Sequence, residues 1–341
     1  MSSEHESSGK LASRLAGGRR NEVRGEPDGY PEDLRGLVEG YLSDIGFSDA
    51  AATAGLDEAM RYSLLAGGKR IRPVLALATA RSVGESPQGV LPAAAAIELV
   101  HTYSLIHDDL PAMDDDELRR GRPTSHVRFG ENVAILAGDG LFAEALRLFC
   151  EHQAGPPERV LAALRELVRA TGVDGMVGGQ YIDVTMPAAS SASEHGERAV
   201  TRGEGLRAGA AGVQQDADGL RRLHELKTGR LIGASVRIPL TLADVGEPET
   251  IKYRRFADEL GVLFQIVDDI LDVTGSDEAL GKPRGSDERH GKLTYVSLFG
   301  LERARELAAA SHAKAREALA ETAGDTDDLH LITDFIYTRQ S

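Results

Sequence analysis

Residues 97–120 read IELVHTYSLIHDDLPAMDDDELRR, and the change of character along this stretch decides the fold. Pro92 opens a helical run in which Ala93, Ile97, Val100, Ser104 and Ile106 recur at helical spacing as far as Asp108. The run ends in a dense set of carboxylates, Asp108, Asp109, Asp114, Asp115, Asp116 and Glu117. Like charges this close repel one another unless something positive sits among them. Val100, Leu105 and Ile106 just ahead are apolar, so the cluster emerges from a core rather than from a solvated face. Pro111 interrupts helical hydrogen bonding and lets the chain turn Asp114 back towards Asp108. The cations Arg119 and Arg120 follow at once.

A second acidic segment, FQIVDDILD (264–272), has the same construction. Asp268 and Asp272 are four apart and share a helix face, whereas Asp269 points about 100° away. Set among Ile266, Val267, Ile270 and Leu271, these carboxylates are costly if left without a counter-charge. Hard divalent cations with oxygen ligands remove that cost. Mg²⁺ takes one or two carboxylates and fills its shell with phosphate oxygens and water, which suits two sparse clusters better than a closed cage.

The basic residues are less decisive. In GGKRIRP (67–73), Gly67 and Gly68 permit close backbone approach to a phosphate, and Lys69, Arg70 and Arg72 supply charge. A turn with exposed charges has the same composition. Lys227 and Thr228 in HELKTG (224–229), and Lys282 beside Gly281, stand equally between a functional and a surface role. His101 lies seven residues before Asp108 on the same helix face, where either a structural or a ligand-contacting role fits.

The rest of the chain reads as helix after helix and predicts an all-α fold. Pro31-Glu32-Asp33 begins one helix. Val133–Phe149, Glu158–Thr171, Leu220–Ala243 and Ile251–Val273 carry helical apolar spacing, and no sustained alternation competes with them. The absence of Trp and an aromatic content of only 5% favour packed helices over a β-sandwich. A formal net charge of −15 is a poor match to nucleic acid or an anionic membrane surface. No apolar run of about 18 residues is expected to span a bilayer. Residues 1–30 are charged and Gly/Ser-rich, with no signal-peptide core, and read as a disordered tail of a cytoplasmic protein. Residues 188–217 hold almost no large apolar side chain and read as a flexible insertion or a lid. Cys150, between apolar neighbours, is expected to be a buried structural thiol.

With these residues in view, the sequence resembles the trans-prenyl diphosphate synthase family, bacterial-type farnesyl diphosphate synthases in particular. The resemblance covers nearly all of residues 31–341. It is carried in order by GGKRIRP (67–73), residues 97–126, AGDGLF (137–142), GMVGGQYID (175–183), HELKTGRLIGA (224–234), FQIVDDILD (264–272) and GKLTY (291–295). It implies a single-domain helical bundle around a deep central cavity, the isoprenoid synthase fold, with the two acidic segments facing each other and the protein a homodimer.

Position by position, the resemblance implies Mg²⁺ on Asp108, Asp114 and Asp268, three ions when substrate is bound, with support from Asp109, Asp269 and Asp272. Arg119, Lys227 and Lys282 would hold an allylic diphosphate. Gly68, Lys69, Arg72, His101 and Arg120 would hold isopentenyl diphosphate, and Thr228 and Gln265 would lie near the allylic carbon. Catalysis would rest on Arg119, Lys227, Thr228, Gln265 and Lys282. The 188–217 stretch is longer than the corresponding link in the family. Ser104 and Tyr103 lie four and five residues before Asp108, under a tail descending from the diphosphate. Tyr103 as a floor favours the fifteen-carbon farnesyl product; Tyr103 packed only between helices leaves geranylgeranyl diphosphate open. A non-catalytic partner subunit would not need both acid clusters. A terpene cyclase would not need Lys69, Arg72, His101 and Arg120.

Overall fold

The computed structural model describes residues 29–185, 217–275 and 292–339. The 188–217 insertion except Ala217, nearly all of the 1–30 tail, and Lys282 lie outside the described residues. Tyr30, at the end of the expected tail, belongs to the fold: it is buried, its ring packs 4.7 Å from Phe335, and its hydroxyl donates to the Lys69 carbonyl at 2.8 Å.

The chain forms α1 (Glu32–Asp44), α2 (Ala54–Leu64), α3 (Ile71–Ser82) and α4 (Leu91–Asp108). A minimal hairpin, β1 (Leu118–Arg119) and β2 (Arg122–Pro123), precedes α5 (Ser125–Phe129), α6 (Glu131–His152), α7 (Pro157–Thr171) and α8 (Met176–Thr185). After the undescribed stretch come α9 (Ala217–His224), a π-helical turn (Glu225–Gly229), α10 (Arg230–Leu242) and α11 (Glu247–Thr274). The C-terminal part is α12 (Tyr295–Phe299), α13 (Leu301–Ala320) and α14 (Asp327–Thr338).

Helix α4 is the axis of the bundle. It is apolar on every side because α1, α3, α6 and α10 all pack against it. The stretch Pro87–Asp108 is, contrary to the sequence expectation, long and apolar enough to cross a membrane by length and composition, yet 72% of that window is buried inside the protein. It is a core helix. Helix α11 presents Tyr253, Phe256, Leu260, Leu263, Phe264, Val267 and Leu271 as one buried stripe along α10 and α13. At Gly261 a side chain would come within 3.1 Å of Gly229, so α11 meets the π turn through two glycines.

Two further expectations need correction. The single helix read over Leu220–Ala243 is divided by the π turn, whose one extra residue shows only as a five-residue gap between Leu226 and Leu231. Cys150 is exposed: Leu148 and Phe149 face the core, and the next residue is rotated about 100° away.

Candidate active site

The acidic ends of α4 and α11 open onto one cavity of about 390 Å³. Asp108, Asp114, Asp268, Asp269 and Asp272 all line it, as the two-cluster reading requires. The turn expected after Pro111 is present, because the Asp114 amide donates to the Asp108 carbonyl at 2.8 Å. Asp108 is buried where α4 ends. Burial holds its pKa above the ordinary range; Lys227 opposes this and Asp114 adds to it. Its Oδ1 accepts from Gln180 Nε2 at 3.0 Å, and Lys227 Nζ lies 3.9 Å from Oδ2.

Asp109 turns away from the cavity and is gripped by Arg119, with Nε 2.8 Å from both carboxylate oxygens and Nη2 2.5 Å from Oδ1. The grip depends on the hairpin. Arg120 and Gly121 form its two-residue turn at φ 54° and 71°, the pair of positive values that a type I′ turn needs. Arg119 is thereby fixed on one side of the hairpin, and Arg120 is directed to the Gly67 carbonyl, to which it donates. Gly68 serves this contact: at φ 123°, a side chain there would stand 2.8 Å from the Arg120 guanidinium.

On the opposite wall, Asp269 accepts from Gln265 Nε2 and from the Tyr295 amide, both at 2.7 Å. Thr228 donates to Gln265 Oε1 at 3.0 Å, linking the π turn to α11. Asp268 pairs with Arg339 at the end of α14, and the Arg339 guanidinium lies over the Phe264 ring at 4.4 Å.

Arg72, His101 and Arg120 gather at another part of the cavity wall. Arg72 Nη1 is 3.4 Å from His101 Nε2. Burial, with Arg72 and Arg120 adding to it, holds the His101 pKa well below its ordinary value, so the ring is neutral at physiological pH. Lys69 does not line this cavity; its ammonium lies 5.2 Å from the centre of the Phe335 ring. Ser104 lines the cavity and Tyr103 does not. Tyr103 packs edge-on against Phe142 at 5.5 Å and His107 at 5.7 Å.

Several lining residues had no role assigned from sequence. Asp183 on α8 accepts from Lys227 Nζ at 2.6 Å and lies 3.5 Å from Lys292 Nζ. Burial alone would raise its pKa, but Lys227 and Lys292 outweigh burial and hold it below the ordinary carboxylate range. Lys292 grips Asp114. Gln180 and Asp183 are three apart in GMVGGQYID, a spacing that puts both on one helix face and was available as a signal. Arg339 carried none.

Among the described residues no three acidic or histidine side chains converge closely enough to cage an ion unaided. The donor set nevertheless suits a hard cation shared with an anionic ligand. Carboxylate oxygens approach from both walls, and Lys292 on Asp114 and Arg339 on Asp268 already hold positive charge against them.

A model of the polyprenyl synthetase family matches residues 53–332. The chain is 44% identical over 265 residues to the chloroplastic geranylgeranyl pyrophosphate synthase of Capsicum annuum, covering 77% of this chain and 66% of that one. It is 41% identical over 286 residues to the farnesyl diphosphate synthase of Bacillus subtilis, covering 83% and 88%. The solved geranyltransferase of Helicobacter pylori complexed with magnesium and isoprenyl diphosphate matches it with a TM-score of 0.77 at 27% identity, over 92% of this chain and 99% of that one. The chain thus spans slightly under two thirds of the plant relative's length, at 66%, and most of the bacterial ones. Its architecture is the all-α isoprenoid synthase fold. The chain belongs to the polyprenyl synthetase family, the trans-prenyl diphosphate synthases, which are prenyltransferases of isoprenoid biosynthesis.

Proposed function

We propose that this protein joins isopentenyl diphosphate head to tail to an allylic diphosphate, dimethylallyl or geranyl, releases diphosphate, and stops at farnesyl diphosphate. The observation that carries the condensation is one cavity whose lining holds both a group of carboxylates with lysines and a separate basic group. Asp108, Asp114, Asp183, Asp268, Lys227 and Lys292 make up the first group, and Arg72, His101 and Arg120 the second. Two diphosphates in one chamber are what a chain-elongating reaction needs.

Asp108, Asp114 and Asp268 would hold Mg²⁺, with Asp109, Asp269 and Asp272 in support. Bound there, Mg²⁺ supplies Lewis-acid stabilisation of the leaving diphosphate. Arg119 and Lys227 meet the allylic diphosphate with fixed charge, joined by Lys282 from outside the described residues. Each preorganised contact to developing negative charge contributes about 3 kcal/mol. The allylic C–O bond breaks with its electron pair leaving on diphosphate. Thr228 and Gln265, already hydrogen-bonded to each other, present oxygens beside the carbon that becomes positive. Arg72, His101 and Arg120, with Lys69 and Gly68 in the adjoining loop, hold isopentenyl diphosphate so that its double bond supplies the pair for the new C–C bond. The proton then lost is taken by the released diphosphate. The reaction requires that water be kept from the cation, which it would otherwise capture.

Farnesyl as end product is supported by the 41% identity to the Bacillus enzyme across 88% of its length and by Tyr103 on α4. A second reading, geranylgeranyl diphosphate, is favoured by the 44% identity to the plant enzyme and by the smaller Ser104, rather than Tyr103, lining the cavity. A non-catalytic partner subunit is disfavoured because both acid clusters are intact. Exposed Ile135, Leu136, Leu161, Val168, Val177 and Tyr181 on α6, α7 and α8 are apolar side chains that a homodimer would cover, testable by light scattering. Incubation with labelled isopentenyl diphosphate and each primer, with product length read by chromatography, tests the chemistry and the end product together.

A further inference from the structure

Glu98 and Arg70 are buried polar residues that do not line the cavity. Arg70 ends the glycine loop between α2 and α3 and is held at φ 52°, a left-handed value uncommon for a residue with a side chain. Its guanidinium is almost wholly enclosed. Nη1 donates to Glu98 Oε1 at 2.8 Å, Nε to Glu39 Oε1 at 2.8 Å, and Nη2 to the Leu64 carbonyl at 2.7 Å. Three elements are tied at one point: the end of α2, the middle of α4 and, through Glu39, α1. The side chains of Arg70 and Glu98 are 1% and 3% exposed. Replacing both members of a buried pair by apolar residues of the same size is often nearly neutral for stability, whereas the charged pair fixes its neighbours in one geometry.

The neighbours give that geometry a role. Lys69 precedes Arg70 and Arg72 follows two residues later, so the direction in which Arg70 leaves the backbone sets where both project. Glu98 lies one turn before His101 on α4. Its charge favours the ionised forms of Arg72 and Arg120, which burial and nearby guanidinium groups disfavour, Arg339 and Arg120 acting on Arg72, and Arg70 and Arg119 acting on Arg120. One buried carboxylate therefore fixes the loop through Arg70 and offsets part of the positive charge gathered around Arg72 and Arg120.

We propose that Glu98 and Arg70 are positioning residues for the isopentenyl diphosphate end of the cavity, holding the 67–72 loop and the Arg72–Arg120 pair in place without touching substrate. This inference rests on the assignment of Arg72, His101 and Arg120 to isopentenyl diphosphate.

The test is steady-state kinetics on full-length Glu98→Gln and Arg70→Lys, with KM measured separately for isopentenyl and geranyl diphosphate. Both variants are expected to raise the isopentenyl KM about tenfold while the geranyl KM stays within about twofold, the signature of a displaced binding group. An unchanged isopentenyl KM, or equal rises for both substrates, overturns the proposal. Glu39→Gln, which loosens only the partly exposed arm of the clamp, keeps the question decidable if the buried variants do not fold. It is expected to raise the isopentenyl KM alone by about two- to threefold, and no change overturns the proposal. His101→Ala separates the two layers of the argument. If it raises the isopentenyl KM while Glu98→Gln does not, the clamp fails and the subsite stands; if neither does, the subsite assignment fails.

Discussion

The ammonium group of Lys292 sits across both oxygens of Asp114, 2.8 Å from one and 2.9 Å from the other. It belongs to an alternating chain that runs from Asp114 through Lys292, Asp183 and Lys227 to Asp108. The carboxylates of the first acid cluster thus meet the fold's own cations. Asp183 gives both lysines a partner besides Asp108 and Asp114.

Lys292→Met should lower turnover by about ten- to a hundredfold, the usual weight of one charge-assisted contact to a phosphate group. Steady-state kinetics with saturating substrates checks this. Wild-type turnover would remove Lys292 from the site.

Asp183→Asn should change the acid limb of stability. The folded-state pKa of Asp183 lies below its ordinary value of 3.8. Its stabilising contribution is therefore complete above that ordinary value and is lost as pH falls through the lower, folded one. Thermal melts from pH 6 downwards should show a shallower acid decline for Asp183→Asn than for the parent. Parallel curves would contradict the pairing.

Asp108→Asn separates stability from function. Burial keeps this carboxylate above the ordinary pKa range even with Lys227 nearby, so its charge costs the metal-free fold free energy near neutral pH. The variant should melt roughly 2 °C or more higher without metal, and its turnover should fall by about a hundredfold or more. A lower metal-free melting temperature would contradict the electrostatic argument.

Much of this was legible in the sequence, for identifiable reasons. The acid clusters announced themselves because carboxylates ending apolar helical runs have no inexpensive explanation without cations. The helices followed from apolar spacing. The π turn did not, because its trace is a single five-residue gap between Leu226 and Leu231 within otherwise helical spacing. The salt-bridge chain was hidden because Asp183, Lys227 and Lys292 are far apart in sequence and meet only through the packing of α8 against the π turn. Arg339 meets Asp268 because α14 packs on α11, which no local pattern encodes.

Tyr103→Ala should lengthen the product beyond fifteen carbons if the growing tail displaces the contacts of Tyr103 with Phe142 and His107 as it descends past α4. Chromatography of dephosphorylated products checks this. An unchanged chain length would place the floor elsewhere.

The central claim is that one cavity condenses two diphosphates with the help of metal. The most direct measurement is incubation of the purified protein with labelled isopentenyl diphosphate and geranyl diphosphate, with Mg²⁺ or with EDTA, followed by separation of products by chain length. The account predicts farnesyl diphosphate with Mg²⁺ and no condensation product with EDTA. Absence of any condensation product with Mg²⁺, from geranyl or dimethylallyl diphosphate alike, would contradict it.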